Sequence, residues 1–219
     1  MKILIFCGGL ATRFNNGKPG PLKPLIKIKN KSILEHVMNR YQKIKNSEFI
    51  LLGGYRFNEL QKFQKKISKK YRVIAINTGK YTNTAGRLLK VKKYIKKDFF
   101  FLTYGDTITD YNPKIQLKKN KNISMISLYK YNIPYGVLKK KRTKISNMYE
   151  KNFSIFVNAG HYYLDPVIFN YIKRNNQSFE KDILPSLIKK NILRFNYNVL
   201  KKWYPIDNKF DLDKVKDKI

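Results

Sequence analysis

Cysteine, acidic side chains and long apolar runs are scarce in this chain, and each shortage narrows its class. A single cysteine, Cys7, excludes an internal disulfide. No run of about 20 apolar residues is present, which excludes a membrane-spanning helix, and no apolar signal-type segment opens the chain. The chain is therefore read as soluble and cytoplasmic, without membrane insertion. Only 14 Asp and Glu stand against 47 Lys and Arg, for a formal net charge of +33. That excess is mostly lysine, spread over the whole length, and lysine, asparagine, isoleucine and tyrosine all have A/T-rich codons. A genome of low G+C content accounts for it without a polyanion partner, because net charge speaks to non-specific association and not to fold. No specific nucleic-acid partner is expected, although small anionic substrates would be steered in.

What is present in quantity is apolar: 42% of 219 residues, enough for a full core. Strand-like apolar runs alternate with amphipathic segments of helix length, the pattern of a parallel α/β sheet. Strands are expected at Ile3–Phe6, Glu48–Leu52, Val73–Ile76 and Phe99–Thr103. Helices are expected at Ser32–Lys45, with Ser32 and Glu35 as a capping box, at Asn58–Lys69 and at Ala85–Lys96. After Asp110 the texture changes to short strands at Ile123–Tyr129, Tyr135–Lys139, Lys144–Met148 and Ile155–Tyr163. Helical segments follow at Pro166–Lys173 and Phe179–Lys190, then a strand at Leu193–Val199 and a short helix at Asp211–Lys218. The expected fold is a Rossmann-like, mostly parallel central sheet flanked by helices, with a small antiparallel substrate-side extension. One domain, 1–219, would divide into a nucleotide-binding half (1–110) and a substrate-binding half (111–219).

Three segments carry chemistry. Cys7-Gly8-Gly9-Leu10-Ala11-Thr12-Arg13 follows the first strand, and Leu22-Lys23-Pro24-Leu25 comes soon after. Two glycines let main-chain N–H groups approach a base or phosphate, and Arg13 and Lys23 add positive charge for a triphosphate. Taken alone, the glycine pair fits an ordinary turn equally well. Tyr104-Gly105-Asp106 follows the strand expected to be most buried, where ligands of open α/β sheets bind. A carboxylate there suits Mg²⁺, with Asp207 as a candidate partner and Asp110 as a possible supporting group. The third segment, Asn77 to Leu88, puts Thr84 and Arg87 at a helix start, where N–H groups face a ligand.

Together these segments resemble the sugar-1-phosphate nucleotidyltransferases, most closely the glucose-1-phosphate cytidylyltransferases. Gly8-Gly9-Leu10-Ala11-Thr12-Arg13 is similar to the family's opening loop and Leu22-Lys23-Pro24 to its Pro-Lys-Pro step. Thr84-Ala85-Gly86-Arg87-Leu88 resembles the stretch that marks the cytidylyl branch. Leu102–Asp106, Val157–Gly160 and Trp203–Asp207 follow in family order. Ala11, Ala85 and Ala159 stand where the family has glycine, which would be strained if φ were positive.

The resemblance implies attack of a sugar-1-phosphate oxygen on the α-phosphate of CTP, with Mg²⁺ as cofactor and pyrophosphate as leaving group. Arg13, Lys23 and Asp106 are the implied catalytic residues. Cys7, Gly8, Gly9, Leu10, Thr12, Thr84, Arg87 and Gly105 join Arg13 and Lys23 around the nucleotide. Glu150, Lys151, Asn158 and Glu180 are implied at the sugar, and Asp106 and Asp207 at the metal. A homo-oligomer is a possible state. The alternatives are another nucleotide, a phospho-alcohol acceptor such as phosphocholine, an inactive regulatory homologue, or a basic RNA-binding protein using its aromatic residues as stacking platforms.

Overall fold

Ile3, Leu4, Ile5 and Phe6 have no polar side to offer solvent. In the computed structural model, which describes residues 1–119, 122–195 and 199–219, they lie in the strand β1 (Lys2–Phe6) at the centre of the molecule. A two-residue hairpin, β2 (Lys27–Ile28) and β3 (Lys31–Ser32), precedes α1 (Ile33–Tyr41). Then come β4 (Glu48–Gly53), α2 (Phe57–Ile67), β5 (Val73–Asn77), α3 (Thr84–Val91), β6 (Phe100–Tyr104) and β7 (Thr107–Thr109). The second half holds α4 (Pro113–Lys119), β8 (Ser124–Asn132), β9 (Val137–Lys141), β10 (Lys144–Tyr149) and β11 (Ser154–Leu164). It ends with α5 (Leu184–Lys189), β12 (Leu193–Phe195), β13 (Trp203–Pro205) and α6 (Lys209–Lys216).

The main sheet has the order β12-β8-β11-β6-β1-β4-β5. Strands β5, β4, β1 and β6 are mutually parallel, and β11 runs antiparallel between β6 and β8. This is the expected mostly parallel sheet with helices on both faces. Alternate residues of β1 serve opposite layers, as a period of two requires. Ile3 and Ile5 pack with α1 and α2 side chains such as Val37, Tyr41 and Leu60. Leu4 and Phe6 pack with Leu88 and Val91 of α3 and Leu187 of α5. From β1 the chain goes first to β4 and β5 on one side and then to β6 on the other. The direction therefore reverses between β1 and β6, and a crevice opens at their carboxyl ends.

The capping box at Ser32 and Glu35 is formed, with Ser32 Oγ accepting from Glu35 N. Several segments depart from the expected bounds. The first three helices end at Tyr41, Ile67 and Val91, the last continuing as a 3₁₀ turn, Lys92–Tyr94. Pro166–Lys173 is instead a 3₁₀ segment ending at Tyr171. Phe179–Ile183 is a π-turn ahead of α5; Pro185 has no N–H, and its ring crowds the carbonyl four residues back. Of the strand expected at Leu193–Val199, Leu193–Phe195 is β12, and residues 196–198 lie outside the described residues. The sequence reading lacked β2, β3, β7, α4 and β13. No described helix is long and apolar enough to cross a membrane.

Under the β6–β7 turn sits His161, 2% exposed. Its ring nitrogens are hydrogen-bonded to Tyr41 Oη at 2.7 Å, Thr103 Oγ1 at 3.0 Å and Thr109 Oγ1 at 2.8 Å. Tyr111 stacks on the ring at 4.4 Å. Burial, and then the charge of Arg40, push its pKa down to about 3. The folded protein therefore keeps His161 neutral in a range where the unfolded chain protonates near 6.5, so stability falls as pH drops below that value. The slope from this one proton is up to about 1.4 kcal/mol per pH unit. Urea unfolding at pH 7 and pH 5 should show a smaller acid loss in His161→Asn than in the native chain. Equal losses would mean that His161 does not take up that proton.

Candidate active site

The crevice between the ends of β1 and β6 is a cleft of about 580 Å³, lined among others by Gly8, Gly9, Leu10, Arg13, Lys23 and Asp106. A neighbouring cavity of about 380 Å³ continues past Asp106 to Asn158, Glu180, Trp203 and Asp207. A third cavity, of about 670 Å³, opens at the far end of the strands near Met1, Lys2 and Glu48. It lies away from the carboxyl ends, and Lys2 there is paired with Glu48.

At the base of the cleft Lys23 is 9% exposed. A 3₁₀ turn, Lys23–Leu25, carries it. Its ammonium meets Asp106 Oδ2 at 2.7 Å and Asp207 Oδ1 at 3.4 Å, and donates to the Ile206 carbonyl at 3.0 Å. Asp106 arrives on the turn after β6. Asp207 arrives from β13, whose pairing with β7 carries the late segment back to that turn, where Ile206 N donates to Asp106 O at 3.0 Å. The capping box of α6 holds the Asp207 backbone, with Asp207 N donating to Asp211 Oδ2 at 3.0 Å. Its own carboxylate is thereby left to face Lys23 and Arg13, the latter at 2.7 Å. Both carboxylates reach one ammonium, within the span one ion can bridge. Two hard oxygen donors of this kind suit Mg²⁺, whose shell is otherwise water and phosphate oxygen. Among the described residues no group of three or more His, Cys, Asp or Glu gathers to hold a metal by protein ligands alone.

Arg87, expected to reach a phosphate or base, lines the cleft, but it is only 5% exposed and its guanidinium donates to the protein frame. The acceptors are Gly53 O at 2.9 Å, Thr78 Oγ1 at 2.6 Å and Gly8 O at 3.0 Å. It braces the glycine lip against the end of β4, and burial lowers its pKa. A Cβ at Gly8 would run into that guanidinium, which is a packing reason for the glycine beside any ligand reason. Cys7 and Gly105 lie behind the cleft wall and pack on each other, and burial pushes the Cys7 thiol up.

On the substrate side Glu180 accepts from Tyr104 Oη, from Thr84 Oγ1 at 2.7 Å and from Ser178 Oγ at 2.8 Å. Thr84 is thus committed to Glu180 and to Phe179 N. Asn158 Nδ2 donates to Tyr162 Oη at 2.6 Å, and that hydroxyl lies 3.4 Å from Tyr104 Oη. Asn158 and Glu180 therefore share one cavity. Glu150 and Lys151 do not join them: both are exposed beside the β9–β10 hairpin and line neither cavity. Asp110 turns away as well, its carboxylate accepting from Lys201 N and Lys202 N. Sequence reasoning missed Tyr81 and Asn176 on the cleft wall. Tyr81 lies within the Asn77–Leu88 segment, so a signal was there. Asn176 had none, being brought in by the bonds of Asn83 and Ala85 to Asn175 O and Gln177 O.

Of the three alanines at family glycine positions, only Ala11 has positive φ, at 54°. An L-residue there costs roughly 1–2 kcal/mol relative to glycine. Ala11→Gly is expected to stabilise the chain by about 1 kcal/mol in urea unfolding. Unchanged or lower stability would mean that the packing of the Ala11 methyl with Phe14 and Ile28 outweighs the strain.

Sequence and fold relate the chain to known proteins. The sequence model of the family described as "Nucleotidyl transferase" matches residues 2–217. The chain is 30% identical over 216 residues to the "Probable glucose-1-phosphate cytidylyltransferase" of Bacillus subtilis (strain 168), covering 86% of this chain and 85% of that one. It is 29% identical over 222 residues to a mannose-1-phosphate guanyltransferase of Yarrowia lipolytica, covering 94% of this chain and 60% of that longer one. In fold it is similar to the crystal structure of HddC from Yersinia pseudotuberculosis, with a TM-score of 0.78 at 22% identity, covering 99% and 98% of the two chains.

Proposed function

The chain belongs to the nucleotidyl transferase family, as a sugar-phosphate nucleotidyltransferase, and we propose that it transfers a cytidylyl group from CTP to a sugar 1-phosphate. Glucose 1-phosphate is the first acceptor to test, and the products are a CDP-sugar and pyrophosphate. The observation that supports this most is the convergence of Lys23, Asp106 and Asp207 below a glycine-lipped cleft at the sheet's switch point. Residues 1–110 supply most of the nucleotide side of the cleft, with Asn176 added, and the acceptor side draws on both halves, with Asn158, Glu180 and Asp207 beside Thr84, Tyr104 and Asp106.

An oxygen of the acceptor phosphate attacks the α-phosphorus, and the bond from the α-phosphorus to the α,β-bridging oxygen breaks, that oxygen leaving with the pyrophosphate. The nucleophile is already an anion, so no residue has to remove a proton. In keeping with this, no histidine lines the cleft: His161 is buried, and His36 Nε2 is hydrogen-bonded to Ile28 O. Catalysis then rests on positioning and charge. Lys23 neutralises charge developing at the α-phosphate from a fixed position. Arg13, its side chain 78% exposed on a loop, can turn toward the leaving phosphates. Asp106 and Asp207 would hold Mg²⁺, which supplies charge neutralisation to the reacting phosphates when bound. Glu180 and Asn158 present an acceptor carboxylate and amide to sugar hydroxyls.

Cytidine is favoured by the Thr84–Leu88 stretch. The similarity to a mannose-1-phosphate guanyltransferase supports a guanylyl transfer as the second reading. Pyrophosphate release with four NTPs against several sugar 1-phosphates and phospho-alcohols decides between them, and turnover with CTP and a sugar 1-phosphate is the expected result. Highest turnover with GTP would replace the cytidylyl reading.

Lys23→Ala should lower kcat roughly 10²–10³-fold with a much smaller change in nucleotide KM. Near-normal kcat would remove Lys23 from the transition state. Asp106→Asn and Asp207→Asn should each cut activity and raise the Mg²⁺ needed for half-maximal rate. The double variant should cost well under the product of the two effects, since the residues serve one ion. Strict multiplication of the two losses would assign them to separate tasks.

A further inference from the structure

Between Tyr131 and Phe156 the chain leaves the main sheet. Strands β8 and β11 continue outward as a pair, and β9 and β10 form a separate two-stranded hairpin with almost every residue exposed. Seven of the 13 exposed large hydrophobic side chains among the described residues fall in this stretch. They include Leu138 at 55%, Ile145 at 67%, Met148 at 59% and Phe156 at 61%. The register sets Leu138 opposite Met148 and Lys140 opposite Ile145. One face of the hairpin therefore carries Leu138, Ile145 and Met148 with Lys140 among them. The tip adds Lys141, Arg142 and Lys144, and no acidic residue occurs from Ile133 to Tyr149. None of these cations is in an ion pair among the described residues. Lys139 instead lies over the rings of Tyr149 and Phe153, at 5.1 Å and 6.0 Å.

We propose that this hairpin is a peripheral docking surface for an anionic lipid bilayer. Water is a poor environment for the apolar row, and the surrounding cations need anions that the protein does not provide. A bilayer interface answers both needs: apolar side chains enter the acyl boundary while Lys and Arg stems carry their charges to headgroup phosphates. A second copy of the chain fits less well. A twofold contact sets the same patch against itself, so the run Lys139–Lys144 would face its own duplicate with no acidic partner. The contact is interfacial, not a span. Phe156 is two residues from Asn158 along β11, about 7 Å of extended chain, so a docked hairpin holds the acceptor end of the cleft beside the bilayer. The docking does not depend on which nucleotide or acceptor the cleft uses.

A chain of charge +33 adheres to any anionic surface, so the test separates the hairpin from the general field. The full chain is co-sedimented with phosphatidylcholine vesicles and with equimolar phosphatidylcholine–phosphatidylglycerol vesicles over a range of salt. The native chain should bind the anionic vesicles at least roughly tenfold more tightly. Leu138→Ser/Ile145→Ser/Met148→Ser leaves the net charge unchanged and should weaken that binding roughly tenfold. Lys140→Glu/Lys141→Glu should weaken it well beyond Lys65→Glu/Lys66→Glu on α2, which makes the same change of charge. Circular dichroism and pyrophosphate release equal to the native chain's would show that the variants are folded. Equal losses from the two charge-reversal pairs, or unaltered binding by the triple serine variant, would overturn the proposal in favour of diffuse attraction. Light scattering that shows an oligomer abolished by the serine variant, with no anionic-vesicle preference, would make the hairpin a self-association surface instead. RNA bound selectively through these residues, again without vesicle preference, would likewise overturn it.

Discussion

A lysine ammonium held between two carboxylates is the interaction on which the site and much of its surroundings depend. A lysine exposed by only 9% has lost most of its hydration, and such a charge persists only when paired. Lys23 has Asp106, Asp207 and the Ile206 carbonyl. Lys23 comes from the early part of the chain, Asp106 from the middle and Ile206 and Asp207 from the late part, so satisfying one ammonium joins three segments with no local reason to meet. The same contact moors α6, because buried Ile206 directly precedes Asp207 and the capping box of Asn208 and Asp211 directly follows it. Asp106 and Asp207 are about a third exposed, so solvent screens part of the pairing, and removing either costs less than the roughly 3–5 kcal/mol of a fully buried pair.

The cleft walls are built by the same principle, with less charge. Arg87 ties Gly8, Gly53 and Thr78 into one unit, and glycine at 8 leaves room for the guanidinium. Glu180 ties Thr84 to Tyr104 and Ser178. Beneath both, His161 spans β6, β7 and α1 as a neutral ring. The frame around the cleft, and Lys23 at its base, are therefore held by the protein's own contacts, the condition under which electrostatic stabilisation costs no reorganisation. Arg13 is the exception: its side chain is largely exposed and is held by its ion pair to Asp207. Several aromatic residues follow the same logic of internal use: Tyr41, Tyr111, Tyr162 and Phe101 fill the core.

Much of this was legible from residues alone. The strands β1, β4 and β6 announce themselves because a doubly covered strand needs an unbroken apolar run. The α1 start is written in Ser32 and Glu35, whose reciprocal bonds are local. Asp106 and Asp207 could be paired through the family pattern, although the chain itself carries no spacing that links them. The bracing role of Arg87 was not legible, because a cation near a helix start looks the same in sequence whether it points at a ligand or at the frame. The β7–β13 pairing was missed because three-residue strands show no period, and each exists only by virtue of its partner.

The amino-acid sequence by itself determined the class of the protein: the alternation of apolar runs and amphipathic helices, the glycine loop after β1, and the presence of Lys23, Asp106 and Asp207. These depend on local steric preference and periodicity, which a linear text carries in full. The tertiary structure decided which charges face the ligand and which brace the frame. It brought Lys23 to both carboxylates, turned Arg87 inward, turned Asp110 away, and left the β9–β10 hairpin uncovered. Those outcomes depend on desolvation and on partners distant in sequence, and both are properties of the packed molecule alone.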